Sequence, residues 1–129
     1  MKPVALLVKL GICELALAAL SGWAMVAIVE WPEALKRAGF RHLGRIRQAH
    51  LDLLFMGTIV TVVGLAIHPI PTWVAILLVF GAFLQPLMFL PLAVRPALGQ
   101  QLAYRGFGGL LFSASSVAWV SLAIVALSR

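Results

Sequence analysis

The chain has 129 residues, of which 63% are hydrophobic and only 11% are charged, and its mean hydropathy is +1.07. Soluble domains are about half apolar and about a quarter charged, and a soluble fold of this length has too little interior to bury so much apolar surface. The composition therefore excludes a soluble domain and indicates a membrane protein. The net charge of +6 is interpreted for a chain that lies in a membrane.

Four apolar runs are long enough to cross a membrane as helices, which takes roughly 20 residues each. They cover about residues 4–29, 49–67, 72–94 and 106–127. The connections between them are short, apart from a basic stretch over 31–48. The sequence therefore predicts a single all-α domain over residues 1–129, an integral membrane bundle of four antiparallel helices that forms oligomers.

The first run contains two ionisable residues, Lys9 and Glu14. It continues to Val29, which is too long for the apolar part of a signal peptide, so we expect a retained transmembrane helix. Glu14 shares a helical face with small residues such as Gly11 and Ala18, a pattern typical of helix–helix contacts. We therefore expect Glu14 to point into protein, either in a polar cavity or in a structural hydrogen bond.

The basic connection carries five of the ten Lys and Arg residues, between Lys36 and Arg47. Such a cluster beside a membrane span favours anionic lipid headgroups as partners, and no recognisable nucleic-acid-binding module occurs. Phe40, Leu43 and Ile46 are spaced three apart, which predicts an interfacial helix that Gly39 interrupts.

Positive charge is distributed unequally between the two ends of the predicted bundle. The first and third connections carry seven Lys and Arg residues, namely Lys36, Arg37, Arg41, Arg45, Arg47, Arg95 and Arg105, against Lys2, Lys9 and Arg129 at the other end. The first and third connections are therefore expected to face the cytoplasm, and the two termini are expected to face away from it. We expect the protein to lie in a bacterial inner membrane.

The second span opens with RQAHLDLLFMG, residues 47–57, in which His50 and Asp52 lie where the basic stretch meets the apolar run. The helical face of His50 continues through Gly57 and Thr61, whose small side chains leave a groove for a neighbouring helix or a flat ligand. A neutral imidazole there is a good axial ligand for haem iron, although a histidine bonded to a carbonyl or water has the same pattern. Asp52 lies about 200° further around the helix, and either a catalytic role or a bond to Gln48 or Arg45 would account for it.

The third and fourth spans add amide and hydroxyl groups. Pro86 and Pro91 follow Gln85 and predict a kinked helix, in which Gln85 either lines a pocket or bonds to a freed backbone carbonyl. In the fourth span, Gly109 and Ser113 share a face with Ser116, which is a packing signature within or between chains. No HExxH, GxSxG, Walker A or GxGxxG motif occurs, so hydrolysis by a metal-bound or serine nucleophile is not supported.

The stretch AHLDLLFMG, at the start of the second of four spans, resembles the small four-helix membrane isomerases typified by styrene oxide isomerase and hydroxylaminobenzene mutase. In that family a histidine opens the second span and a glycine, usually preceded by asparagine, follows about seven residues later. His50 and Gly57 match these positions, whereas Met56 replaces the asparagine. Gln85 aligns with the polar position of the third span after a one-residue shift, and Phe89 stands where the isomerase has tyrosine.

The resemblance implies a haem b protein with His50 as the axial iron ligand, and a homotrimer with haem near the subunit contacts. Ferric haem then acts as a Lewis acid on a small hydrophobic substrate, converting an aryl epoxide to an aldehyde or, in the mutase branch, moving a hydroxyl of an arylhydroxylamine to the ring. The residues expected beside the haem are Gly57, Arg45 and Arg47, and those expected at the substrate are Asp52, Met56 and Gln85. Arginines near His50, including Arg41, suit the haem propionates.

Two functions of other classes also fit the sequence. A non-enzymatic accessory or scaffold subunit explains the small-residue faces and requires nothing of His50. A small transporter built from oligomerised bundles would use Glu14 as its coupling carboxylate.

Overall fold

The structure is a computed structural model that describes residues 2–128. The described chain is 87% helical and has no strand. Four of its helical segments have the length and hydropathy of membrane spans, over Pro3–Glu30, Leu43–Ala66, Thr72–Val94 and Leu102–Leu127. The predicted all-α fold, with four helices long and apolar enough to span a membrane, is therefore confirmed.

Six α-helices and one 3-10 helix follow one another along the chain. They are α1 (Pro3–Glu30), α2 (Pro32–Arg37), α3 (Leu43–Ala66), α4 (Thr72–Leu87), α5 (Phe89–Val94), the 3-10 helix Pro96–Gln100 and α6 (Leu102–Leu127). The main contacts join α1 to α3, α3 to α4 and α5, and α4 to α6. The largest apolar cluster lies where these helices meet, around Leu7, Val60, Val74, Leu78 and Leu122. The remaining apolar surface faces outward, as lipid-facing helices require.

The basic connection does not form the single interfacial helix that the spacing of Phe40, Leu43 and Ile46 predicted. Helix α2 ends at Arg37, and Gly39 then adopts a φ of 105°, a left-handed conformation that side chains disfavour. Leu43 and Ile46 instead belong to the start of α3. The second span thus begins at Leu43 rather than near residue 49, because its basic first two turns lack the hydropathy by which spans are recognised.

The third span is interrupted, as its prolines predict. Helix α4 ends at Leu87 and α5 begins at Phe89. Pro91 has no backbone N–H, and in a continuous helix its ring would collide with the carbonyl of Leu87, four residues earlier. Beside the break, the hydroxyl of Tyr104 on α6 donates a hydrogen bond to the Met88 carbonyl, which ties α6 to the third span.

Helix α6 packs along α4, with Gly81 directly opposite Ser115. A Cβ atom on Gly81 would lie 3.1 Å from the Ser115 Cβ, so the two helices approach closely at this level. Within residues 2–128, α6 does not pack along α3. A lateral groove therefore remains between α3 and α6, with α4 and α5 as its floor.

Candidate functional site

The seam between α1 and α3 depends on glycine. A Cβ atom on Gly57 would lie 2.9 Å from the Gly11 carbonyl oxygen and 3.0 Å from the Glu14 Cβ, and one on Gly64 would lie 3.0 Å from the Leu7 Cβ. The sequence predicted that the small residues beside His50 would accept a neighbouring helix or a flat ligand, and at the level of Gly57 a neighbouring helix occupies that face. Gly57 therefore serves helix packing in this chain.

His50 lies further along the same seam and is half-buried. Its Nδ1 atom is 2.8 Å from the Oγ of Ser21 on α1, and the Ser21 hydroxyl is 2.9 Å from the Ala18 carbonyl oxygen. A hydroxyl group has one proton. When the hydroxyl donates its hydrogen bond to the Ala18 carbonyl oxygen, the Oγ can accept a hydrogen bond from His50 Nδ1–H. Both hydrogen bonds then form together.

This arrangement favours the tautomer that carries its proton on Nδ1 and leaves the lone pair of Nε2 open. Within residues 2–128, nothing hydrogen-bonds to Nε2. A histidine that binds a metal through one ring nitrogen usually donates a hydrogen bond from the other ring N–H to a neighbouring group. The residues around His50 thus fit an axial haem ligand. Leu54, one turn further along α3, is exposed and continues an apolar surface on which a flat ligand could lie.

Glu14 is fully buried in the same seam, and neither of its carboxyl oxygens has a hydrogen-bond partner among the described residues. The small-residue face predicted this burial. The structure gives Glu14 close contact with the backbone at Gly57.

The α3–α6 groove is a second polar site, on another side of α3. It has a volume of about 440 Å³, within the range of small-molecule sites. Its polar lining comprises Arg45, Asp52, Gln85, Tyr104 and Arg105, and its apolar lining includes Met88, Phe89, Leu92 and Phe112. A neighbouring cavity of about 380 Å³ shares Gln85 and Phe112 with it and adds Met56, Ser115 and Trp119. The three residues expected at the substrate, Asp52, Met56 and Gln85, therefore line adjoining cavities.

The groove's polar groups differ in how they are satisfied. Gln85 Nε2 lies 3.3 Å from the Ser115 Oγ, so it bonds to α6 rather than to a carbonyl freed by proline. Arg45 Nη1 donates to Gln48 Oε1 over 3.0 Å. This bond uses the Gln48 carbonyl oxygen, and neither Gln48 nor Arg45 bonds to Asp52. No described residue hydrogen-bonds or ion-pairs with the Asp52 carboxyl group. Asp52 is therefore available to a ligand in the groove.

The predicted site residues thus divide into two groups. His50 and Gly57 face α1, whereas Asp52, Met56, Gln85 and Arg45 line the groove side. Arg47 is exposed at the end of α3. Among residues 2–128, no group of three His, Cys, Asp or Glu side chains gathers as a metal site; a single axial histidine would not require one.

Sequence patterns did not indicate Ser21 as the partner of His50, nor did they assign Tyr104 or Arg105 to a site. A signal for Ser21 did exist. Ser21 lies nine residues before the end of α1 at Glu30, and His50 lies seven residues after the start of α3 at Leu43. In an antiparallel pair these offsets correspond to similar depths, at about 1.5 Å per residue.

The fold and the two sites define an all-helical protein with four helices of membrane-spanning length, a seam histidine and a lateral polar groove. No protein-family model, curated protein or solved structure matches the chain. Membership in the small membrane isomerases accordingly stays a prediction from the stretch around His50.

Proposed function

We propose that the protein is a haem-binding membrane isomerase in which His50 Nε2 is the axial ligand of haem b. The hydrogen-bond chain from His50 Nδ1 through Ser21 to Ala18 carries this proposal, because it orients the imidazole and leaves Nε2 open. When bound, the haem would supply a ferric iron acting as a Lewis acid toward the oxygen of an aryl epoxide or arylhydroxylamine. We place the protein in a bacterial inner membrane.

Arg47 is the natural partner for a haem propionate. It lies three residues before His50, one turn nearer the end of α3, so the two side chains are neighbours on the helix surface. Its guanidinium is exposed and can form a bidentate pair with a carboxylate.

The groove supplies the groups that would bind and orient the substrate. Met88, Phe89 and Phe112 form apolar walls suited to an aryl ring. Gln85 donates one amide N–H to Ser115 and keeps its carbonyl oxygen as an acceptor. Asp52, which lacks a protein partner, would exchange a proton or a hydrogen bond with the substrate's polar end. Met56, in the adjoining cavity, would provide an apolar contact where the resemblance leads one to expect asparagine.

His50 and the groove lie on different sides of α3, so one chain does not bring both to one substrate. We propose that they combine in a homo-oligomer, a trimer by resemblance, with haem on His50 of one copy facing the groove of the next. In support, the α6 surface around Gly109 and Ser113 is exposed, and no described atom lies within 4 Å of a Cβ built on Gly109. Small residues of this kind let membrane helices approach closely.

A haem assay on two histidine variants tests the proposal. His50→Ala should abolish stoichiometric haem, whereas His42→Ala, which changes an exposed histidine outside the membrane spans, should keep it. Conversion of an aryl epoxide should follow haem content in both variants. Full haem in purified His50→Ala would exclude His50 as the ligand, and full activity without haem would exclude the mechanism.

Transport through Glu14 has less support. Its carboxyl group is enclosed in the glycine seam, and a coupling carboxylate needs access to an aqueous or substrate pathway. Glu14→Gln is therefore expected to leave haem binding and isomerase activity intact, provided that the variant folds.

A further inference from the structure

The end of the bundle that carries the basic connection contains three linked cavities. The outer cavity, of about 610 Å³, is lined by Arg41, Arg95 and Pro96 among others. A middle cavity of about 120 Å³ shares Pro96 with it and is also lined by His42 and Arg45. The middle cavity in turn shares Arg45, Leu92 and Gly99 with the mouth of the α3–α6 groove. The three cavities therefore adjoin one another between the connections, and together they are termed the depression.

The charged residues that line the outer and middle parts of this depression are all basic. Arg41 and Arg95 line its outer part, and Arg45 and Arg105 line the groove mouth. No acidic residue lines the outer or middle cavity. Asp52 lies seven residues along α3 from Arg45, which is about 10 Å deeper along the helix axis. The lining of the depression thus includes four arginines, two in the outer cavity and two at the groove mouth.

The backbone that carries these arginines is held in place. The backbone N–H groups of Arg41 and His42 both donate to the Ala93 carbonyl, over 2.8 and 3.0 Å. This tethers the loop after α2 to the end of α5. The Arg45 guanidinium is bonded to Gln48 and lies 5.8 Å from the Phe89 ring centroid, a cation–π distance. The Arg45 guanidinium and the backbone at Arg41 are thus held in place before a ligand binds, which lowers the entropic cost of binding.

We infer that this depression binds the headgroup of a phospholipid that carries two phosphates. Arg41 and Arg95 would hold one phosphate and Arg45 and Arg105 the other, since guanidinium groups pair with phosphate in bidentate fashion. Basic pockets between membrane helices at the cytoplasmic side suit such headgroups. The exposed apolar helix surfaces would carry the acyl chains. This site does not depend on haem or on His50.

Lipid titration followed by native mass spectrometry tests the inference. Delipidated protein in detergent is titrated with diphosphatidylglycerol, phosphatidylglycerol or inorganic pyrophosphate. Arg41→Gln/Arg95→Gln removes one guanidinium pair. Arg37→Gln/Arg47→Gln removes the same net charge from exposed arginines that do not line the cavities. Thermal unfolding without lipid confirms that both variants fold.

We expect the wild type to bind diphosphatidylglycerol at least about tenfold more tightly than phosphatidylglycerol, a tenfold change being 1.4 kcal/mol. The Arg41/Arg95 variant should lose that preference, and the Arg37/Arg47 control should keep it. Equal binding of the two lipids, or equal losses in both variants, would show general attraction to anionic lipid and overturn the inference. Displacement of the lipid by millimolar pyrophosphate would overturn the lipid source and indicate a soluble diphosphate.

Discussion

At the scale of single residues, the orientation of one imidazole decides what His50 can do. The Ser21 hydroxyl donates a hydrogen bond to the Ala18 carbonyl and accepts one from His50 Nδ1–H, so Nε2 is left as a ligand. The sequence predicted His50 but not Ser21, because a hydrogen bond between residues 29 apart depends on how α1 and α3 cross. For Asp52 the sequence left two roles open, a catalytic one and a bond to Gln48 or Arg45, because spacing does not decide which neighbouring side chains bond to each other.

Removing the Ser21 hydroxyl, which accepts a hydrogen bond from His50 Nδ1–H, should weaken haem binding without abolishing it. Ser21→Ala is expected to lower haem affinity roughly 10- to 100-fold, the usual effect of losing the hydrogen bond behind a metal-ligating histidine. Haem titration followed by absorbance measures this affinity. Ser116→Ala is the control, because Ser116 also bonds to a carbonyl of its own helix, that of Phe112, but lies on α6. Equal affinities for Ser21→Ala and wild type would show that Ser21 does not position His50.

At the scale of helices, glycine and proline explain why the site has this shape. Gly57 and Gly64 let α1 approach α3, and Pro91 breaks the third span beside the groove. The sequence predicted the spans and the proline kink because hydropathy and proline act locally. It did not predict that α1 would fill the face of His50 at Gly57, since small residues accept a helix and a flat ligand equally well.

The α1–α3 seam should not tolerate a methyl group at Gly57. Gly57→Ala would place a Cβ against the Gly11 carbonyl oxygen, and overpacking of this kind costs about 1–3 kcal/mol. We expect a lower thermal unfolding temperature in detergent. Gly106→Ala is the control, because no described atom lies within 4 Å of a Cβ there and alanine favours the helix. Gly57→Ala as stable as Gly106→Ala would contradict the close seam.

A larger side chain on α6 should block the α3–α6 groove. Gly108 lines it, and a Cβ there would lie 3.4 Å from the Met88 Cε, so Gly108→Leu would place a side chain into the substrate space. We expect kcat/KM for an aryl epoxide to fall at least about tenfold, or about 1.4 kcal/mol, with haem content unchanged. Ala103→Leu, at an exposed position of α6 that does not line the groove, should have little effect on either quantity. Unchanged activity in Gly108→Leu would place the substrate elsewhere.

At the scale of the whole molecule, the two polar sites lie on different sides of α3, so the proposed chemistry requires more than one copy. Four spans and their order were predictable because each span is a long apolar run. The groove was not, because it arises where α6 packs on α4 without packing along α3, and no pattern in α6 alone specifies that. The exposed face around Gly109 was predicted as a packing face within or between chains, and the structure leaves it free for a second copy.

Oligomerisation through the Gly109 face can be tested by placing a large side chain at Gly109. Gly109→Leu should shift the detergent-solubilised protein toward smaller species in size-exclusion chromatography with light scattering, because leucine prevents close helix approach. Ala103→Leu, at an exposed position about 120° around the same helix from Gly109, should keep the wild-type mass. If Gly109→Leu retains an oligomer of unchanged mass, copies meet through another face.

The absorption spectrum of the purified protein, taken oxidised and then after dithionite reduction, tests the central proposal most directly. Haem ligation by His50 predicts a Soret band at one haem per chain that shifts on reduction, as expected of iron held by a histidine. Protein that shows no Soret band, even after expression with added haem and reconstitution in detergent, would contradict haem ligation by His50 and with it the proposed isomerase chemistry.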